Sequence, residues 1–100
     1  MKYVSTRGAA PVLDFGDVLL TGLASDGGLY LPERWPALPT LAPDATYTDV
    51  ATAVMAPFVE GSLSVDELAG LVDDAYATFT HPDVVPLIDL GDDHHLMELF

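Results

Sequence analysis

Four prolines close together near the middle of the chain limit regular structure there more than any other feature of the sequence. They are Pro32, Pro36, Pro39 and Pro43. Proline donates no backbone N–H and biases the residue before it away from helix. Residues 33–44 are therefore predicted to form a stiff, largely irregular connector between two structured segments.

The segment before the connector is predicted to hold one helix and two short extended pieces. Polar and apolar residues alternate from Lys2 to Thr6, as in a strand. Asp14 is a good helix N-cap, and Asp17 suits the positive end of the helix dipole. The apolar side chains that follow at helical spacing are Phe15, Val18, Leu19 and Leu23. Gly22 and residues 25–28 should end this helix and turn the chain into a short extended piece at 29–31.

Two further helices are predicted after the connector. The first has its apolar stripe at Tyr47, Val50, Ala51, Val54 and Phe58. Gly61 should stop this helix, and Pro57 should kink it or end it early, because proline removes the hydrogen bond to the Ala53 carbonyl.

The start of the next helix is the clearest local signal in the chain. Ser64 and Glu67 have the spacing of a capping box, and Leu63 and Leu68 lie at the positions of a hydrophobic staple around it. The predicted buried stripe consists of Leu68, Leu71, Val72, Ala75 and Phe79. The helix is predicted to end at His81-Pro82.

The C-terminal residues are predicted to form a hairpin. Residues 87–90 and 95–100 are mainly apolar and flank the polar turn Gly91-Asp92-Asp93. The chain stops on Leu99-Phe100, within the predicted second strand, whereas natural termini are usually polar and loosely held. We therefore expect a small α+β domain that is a piece of a longer protein.

Charge and composition exclude several classes of function. Sixteen acidic residues outnumber the three basic ones, Lys2, Arg7 and Arg34, and the formal net charge is −13. Binding to nucleic acid or to an anionic membrane requires clustered lysine and arginine, which this chain lacks. The acids are interpreted as a solvated surface. The absence of cysteine excludes disulfides and thiolate sites. The start of the chain lacks the apolar run of a secretory signal, so we expect a cytoplasmic protein.

No set of residues with a catalytic pattern is present. Lys2 is the only lysine. The adjacent acids Asp66/Glu67, Asp73/Asp74 and Asp92/Asp93 point in different directions and do not promise convergence on one substrate bond.

Three polar groups could be ligand sites, and each also fits a simpler role. Asp92, Asp93, His94 and His95 could bind zinc, but a polar hairpin tip is favoured, because neighbours in a strand face opposite sides. His81 fits a helix C-terminal cap.

The second group is Asp26-Gly27-Gly28, whose backbone amides could hold an anion, although a turn with positive φ is favoured. The third is Arg7, whose guanidinium matches phosphate or carboxylate. A structural salt bridge is the favoured role for Arg7, because such pairs are common.

Several segments, in order along the chain, resemble the opening of bacterial and fungal-type threonine synthases. They are Tyr3-Val4-Ser5-Thr6-Arg7-Gly8, the run from Gly22 to Glu33, Ala75-Tyr76-Ala77-Thr78-Phe79, Val85-Pro86-Leu87 and Leu96-Met97-Glu98-Leu99-Phe100. The resemblance covers essentially the whole chain.

The resemblance implies an enzyme that converts O-phospho-L-homoserine and water to L-threonine and phosphate with pyridoxal phosphate (PLP). The parent would have the fold-type II, tryptophan synthase β-like architecture. In the family, a His-Gly-Pro-Thr segment and a Phe-Lys-Asp segment follow the Glu-Leu-Phe motif, and the lysine of the latter holds the cofactor. This implies an N-terminal domain at 1–86 and the start of the PLP-binding region at 87–100.

Three expectations follow from the resemblance. The chain alone should be inactive and bind no cofactor, and no catalytic, cofactor-binding or metal residue is assigned within it. Its partners should be the remaining domains of the same enzyme and, in the parent, a small-molecule substrate. The alternative hypothesis is a non-catalytic, threonine-synthase-like interaction module.

Overall fold

The computed structural model describes residues 1–99, which form three helices, a three-stranded sheet and a separate hairpin. In chain order the elements are β1 (Lys2–Ser5), β2 (Leu13–Asp14), α1 (Phe15–Thr21), β3 (Tyr30–Pro32), α2 (Tyr47–Val59), α3 (Val65–Tyr76), β4 (Leu87–Gly91) and β5 (His94–Met97). The predicted α+β class is confirmed, and residues 33–44 form the expected irregular connector. Within residues 1–99, no helix is both long and apolar enough to cross a bilayer.

The three-stranded sheet is built around β1. Its order is β2-β1-β3, and both pairings are antiparallel. Tyr3 and Ser5, which alternate along β1, are buried. The Tyr3 hydroxyl donates a 2.9 Å hydrogen bond to the carbonyl oxygen of Phe58, which ties the sheet to α2. The sequence did not predict β2, because two residues are too few to show alternation.

The hydrophobic core lies between α2 and α3. Val59, Leu68 and Val72 are its buried centre. The partly buried side chains around them are Phe15, Ala51, Met55, Ala56, Leu63 and Tyr76. Both ends of the predicted staple, Leu63 and Leu68, therefore belong to this core.

Both core helices begin with a capping box. In α3 the Ser64 hydroxyl accepts from the Glu67 amide at 3.3 Å, and the Glu67 carboxylate accepts from the Ser64 amide at 2.9 Å, as predicted. In α2 the same reciprocal pair forms between Thr46 and Asp49. The sequence did not predict this second box, because aspartate at the third position departs from the usual glutamate or glutamine.

The predicted stripe of α3 is wrong at three of its five residues. Leu71 is 56% exposed, Phe79 is 38% exposed and Ala75 is also exposed. Only α2 packs extensively against α3, so the covered strip is narrow and contains Leu68 and Val72, one turn apart. The helix also ends earlier than predicted, at Tyr76.

The hydrogen-bond pattern changes where α3 ends. Beyond Tyr76 the bonding changes to shorter turns, with the Thr78 amide donating to Ala75 O and the Phe79 amide to Tyr76 O. The Thr78 hydroxyl also donates to the Ala75 carbonyl at 2.8 Å.

The other two predicted helices differ less from the structure. Asp14 caps α1 by accepting from the Asp17 amide at 3.2 Å, and Gly22 ends it with φ +72°. Of the apolar side chains at helical spacing, Leu19 and Leu23 are 68% and 66% exposed, and Leu23 lies beyond the end of the helix. Pro57 lies within α2, which ends at Val59, and the kink stays a prediction.

The C-terminal hairpin forms as predicted, although its second strand is shorter. Asp92 and Asp93 have φ of 52° and 60°, which gives the turn with two left-handed central residues that suits a tight hairpin. β5 ends at Met97, and Phe100 lies outside the described residues. Every residue of both strands is exposed.

Two leucines of α3 provide a matched test of the core. Leu68→Ala should lower the free energy of unfolding by about 2–5 kcal/mol, because it leaves a cavity in the buried cluster. Leu71→Ala, in the same helix, should change it by less than about 0.5 kcal/mol, as expected of exposed sites. Urea denaturation of both variants measures this difference, and equal losses would contradict the assigned core.

Candidate functional site

The most highly connected polar group in the described residues is the carboxylate of Asp26. It accepts from the Ser5 hydroxyl at 2.8 Å, and from the backbone amides of Ala9 at 2.9 Å, Ala10 at 3.0 Å and Gly28 at 2.9 Å. These donors come from the end of β1, the following loop and the turn before β3. One side chain therefore joins three separate pieces of backbone.

The hydrogen bonds lower the pKa of this carboxylate. Partial desolvation of Asp26 by itself raises its pKa, but the Gly28 amide, the Ser5 hydroxyl and the Ala9 and Ala10 amides outweigh it and lower the pKa to about 2. The shift widens the pH range over which Asp26 is ionised, and its charge is satisfied by donors of the same chain.

The glycines beside Asp26 are required by the same arrangement. Gly28 is buried, and a Cβ there would collide with Ser5 Oγ and approach Thr6 Oγ1 to 2.9 Å. Gly27 has φ +77°, in the left-handed region that glycine favours.

The anion held by this loop is the protein's own. The Gly27 amide donates to the Ala24 carbonyl at 2.9 Å, and the Gly28 amide donates to the Asp26 carboxylate. The favoured interpretation of Asp26-Gly27-Gly28 as a turn is therefore confirmed, and both glycine amides are already paired within the chain.

Arg7 lies on the outside of this loop. Its guanidinium Nη1 donates to the backbone carbonyl of Asp26 at 3.1 Å, and its backbone amide donates to Ser5 Oγ at 3.1 Å. The predicted structural salt bridge is wrong. Within residues 1–99 the recorded ion pair joins His81 and Asp83, at 4.0 Å. Arg7 forms no ion pair with Asp26 because the carboxylate of Asp26 is bonded to other groups, and only the backbone carbonyl of Asp26 faces the guanidinium.

The hairpin tip has the geometry of a turn. His94 Nδ1 lies 2.7 Å from the backbone oxygen of Asp92, while His95 pairs across the hairpin with Asp89. Throughout residues 1–99, no group of three or more histidine, aspartate or glutamate side chains could hold a metal ion. The structure therefore does not bring together the residues of the zinc hypothesis.

The remaining candidates are dispersed. His81 lies beyond the end of α3 and cannot cap it; its Nδ1 accepts from the Asp83 amide at 3.1 Å, so the predicted capping role is wrong. Lys2 is exposed on β1, and the adjacent acid pairs are exposed as well. The Glu67 carboxylate has its pKa lowered by the Ser64 hydroxyl and amide, which is a capping role.

Replacement of Asp26 tests the role of its carboxylate. Asp26→Asn should lower the melting temperature at pH 7. Asparagine places a donating NH2 group where one carboxylate oxygen of Asp26 accepts hydrogen bonds from backbone N–H groups. Asp44→Asn, in the exposed connector, should have almost no effect.

The pH dependence of Asp26→Asn has a definite sign. A depressed pKa stabilises the folded state above the unfolded pKa of about 3.9, and that stabilisation is lost as the pH falls toward about 2. The difference in melting temperature between wild type and Asp26→Asn should therefore shrink over this interval. A difference that is constant down to pH 2 would contradict an ionised Asp26.

Comparisons with known proteins agree with one another. The family model described as threonine synthase N terminus matches residues 2–76. Threonine synthase from Pseudomonas aeruginosa is 46% identical over all of this chain and 22% of its own length. Human threonine synthase-like 2 is 40% identical, also over 22% of its length.

A solved structure gives the same result. PLP-bound threonine synthase from Brucella melitensis superposes with a TM-score of 0.88 at 45% identity, and the match covers all of this chain and 22% of that one. The chain thus spans about a fifth of the length of the relatives it matches. On the evidence of its sequence and its fold, this chain belongs to the threonine synthase N-terminus family.

Proposed function

We propose that this chain is the N-terminal scaffold domain of a threonine synthase, a PLP-dependent lyase that converts O-phospho-L-homoserine and water to L-threonine and phosphate. One observation carries the proposal: the complete chain matches a PLP-bound threonine synthase with a TM-score of 0.88 and 45% identity, but matches only 22% of its length. The catalytic work is assigned to the remaining four-fifths of such a polypeptide.

The residues of this chain do not fit a cofactor site. PLP acts as an electron sink when an amine of the protein holds it and the surroundings orient its ring. Lys2, the only lysine, is exposed at the start of β1, the central strand of the sheet, and lies opposite Asp14 of β2. No catalytic or cofactor-binding role is therefore assigned to any residue from 1 to 100.

We further propose that the domain extends over residues 1–86 and that 87–100 begins the PLP-binding region. The hairpin places Leu87 opposite Met97, and Ile88 opposite Leu96. Since successive residues of a strand face opposite sides, these two apolar pairs lie on opposite faces of the hairpin.

A hairpin that is apolar on both faces requires cover on both. Isolated two-stranded hairpins are marginally stable in water, and strands covered on both faces have nearly continuous apolar sequences. Residues 87–97 fit the first strands of a larger sheet that the rest of the polypeptide supplies.

The proposed partners and compartment follow from the family and from the net charge of the chain. The partners would be the other domains of the same enzyme and its small-molecule substrate, and the compartment would be the cytoplasm. A net charge of −13 opposes binding to nucleic acid or to anionic membranes.

A second function is a non-catalytic interaction module. The relatives named threonine synthase-like 2 favour it, since they match this chain about as well as some of the threonine synthases do. The polypeptide that follows residue 100 separates the two functions: His-Gly-Pro-Thr and a lysine within Phe-Lys-Asp indicate the enzyme, and their absence indicates the module.

The experiment locates the lysine that binds PLP. The intact polypeptide that carries these residues is incubated with PLP, reduced with borohydride and mapped by peptide mass spectrometry, with phosphate release from O-phosphohomoserine measured in parallel. We expect one modified lysine beyond residue 100, turnover by the intact protein, and neither a stoichiometric adduct nor turnover by the 100-residue chain.

Lys2→Arg serves as the control, since it should leave PLP binding and turnover by the intact protein unchanged. A stoichiometric adduct on Lys2 would overturn the scaffold assignment. An intact protein that binds no PLP would favour the interaction module.

A further inference from the structure

We infer that the Asp26-Gly27 pair is a modification site, at which aspartate isomerises to isoaspartate when the surrounding hydrogen bonds open and stays unreacted while they are closed. It is the only Asp-Gly pair in the chain, and the sequence contains no asparagine. The site is defined by contacts within residues 5–28 and is independent of the activity of the intact protein.

The reaction requires no reagent other than water. The backbone nitrogen of Gly27 attacks Cγ of the protonated Asp26 carboxyl group, a C–N bond forms, and the hydroxyl leaves with the amide proton as water. The product is a five-membered succinimide ring. Water then cleaves one of the two C–N bonds of the ring. Cleavage at Cγ restores aspartate, whereas cleavage at the former main-chain carbonyl gives isoaspartate, in which the main chain runs through Cβ and Cγ.

Glycine at position 27 makes this pair more reactive than the other aspartates. Glycine has no Cβ to obstruct the approach of its nitrogen to the carboxyl carbon, and its backbone is conformationally permissive. Every other aspartate in the chain precedes a residue that carries a side chain. In the unfolded chain, isomerisation should therefore concentrate at Asp26.

In the folded chain, the peptide group that joins Asp26 to Gly27 is held at both ends. Its N–H donates to the carbonyl of buried Ala24 at 2.9 Å. Its carbonyl oxygen accepts from Arg7 Nη1 at 3.1 Å. Ring closure requires the Gly27 nitrogen to lose its proton and turn toward the side chain, and these two hydrogen bonds oppose both changes.

The attacked carboxyl group is held as well. Its oxygens accept from the Ser5 hydroxyl, from two amides of the loop after β1 and from the Gly28 amide, at 2.8 to 3.0 Å. Ring closure must rotate this group away from its donors and expel one oxygen. The same bonds lower the pKa of Asp26 to about 2, so the protonated form that loses hydroxyl is rarer than in the unfolded chain.

Isomerisation would remove the arrangement that prevents it. In isoaspartate the carboxylate is attached directly to Cα, and the main chain gains one carbon. The turn that the Gly27 amide closes on Ala24 becomes one atom longer, and the carboxylate no longer occupies the position that its donors surround. A chain that is modified while open should therefore refold to a less stable state.

The experiment compares isomerisation in the native and unfolded protein. The intact polypeptide that carries these residues is incubated at neutral pH with and without guanidinium chloride. Trypsin cuts after Arg7 and Arg34 and releases residues 8–34 as one peptide. Electron-transfer fragmentation then locates isoaspartate in this peptide, in which Asp14 and Asp17 are internal controls. Isoaspartate at Asp26 should form at least about tenfold more slowly in the native protein, because reaction requires local opening.

Two serine variants test the hydrogen bonds themselves. Ser5→Ala removes one donor to the carboxylate and should raise the native rate at Asp26 by about tenfold, as expected for loss of a hydrogen bond to a charged group. Ser25→Ala, at the exposed neighbouring position, should leave the rate unchanged. Circular dichroism establishes that each variant is folded.

Three results would overturn the inference. They are equal rates at Asp26 in native and unfolded wild type, faster isomerisation at Asp14 or Asp17 than at Asp26 in the unfolded protein, and a folded Ser5→Ala protein that reacts at the wild-type rate. If Ser5→Ala does not fold, the comparison of native with unfolded wild type decides. None of these measurements depends on PLP or on turnover.

Discussion

A single internal carboxylate organises the first third of this molecule. Asp26 receives hydrogen bonds from Ser5 at the end of β1, from two amides of the following loop and from Gly28 just before β3. Because β1 and β3 are neighbours in the sheet, the same interaction fixes the loop and the strand pairing. The need for close approach explains why glycine occupies position 28, and the inward turn of the carboxylate explains why Arg7 meets a carbonyl.

The helical half is stabilised differently, by a small apolar core and by caps. Val59, Leu68 and Val72 are buried between α2 and α3, and both helices begin with a reciprocal capping box. The two halves meet where Tyr3 donates to the Phe58 carbonyl and where Phe15 packs against the core. Many large apolar side chains remain exposed, including Leu20 and those of the hairpin, which is consistent with a domain made to pack on a larger body.

Several local signals in the sequence predicted the structure correctly, whereas the contacts between distant residues were not predicted. The Ser64 capping box, the Gly22 helix end and the turn at Asp92-Asp93 depend on neighbours a few residues away, and all three were confirmed. The interaction between Asp26 and Gly28 has a local signature, since aspartate often accepts from the amide two residues on. Its partners Ser5, Ala9 and Ala10 lie 21, 17 and 16 residues away, so no spacing rule reveals them. The predicted stripe of α3 was wrong for a related reason. Its apolar side chain makes Leu71 a candidate for the core, but Leu71 is exposed because no other element covers it.

We propose that these residues are a scaffold whose hairpin belongs to a sheet completed by the rest of the polypeptide. Hydrogen exchange of the amides of residues 87–97 tests this most directly, measured in the 100-residue chain and in the intact protein. In the chain alone, the account predicts nearly unprotected hairpin amides beside protected amides in α2 and α3, since strands exposed on both faces open readily. In the intact protein, the same hairpin amides should be strongly protected. Equal protection of the hairpin in both proteins would contradict the account.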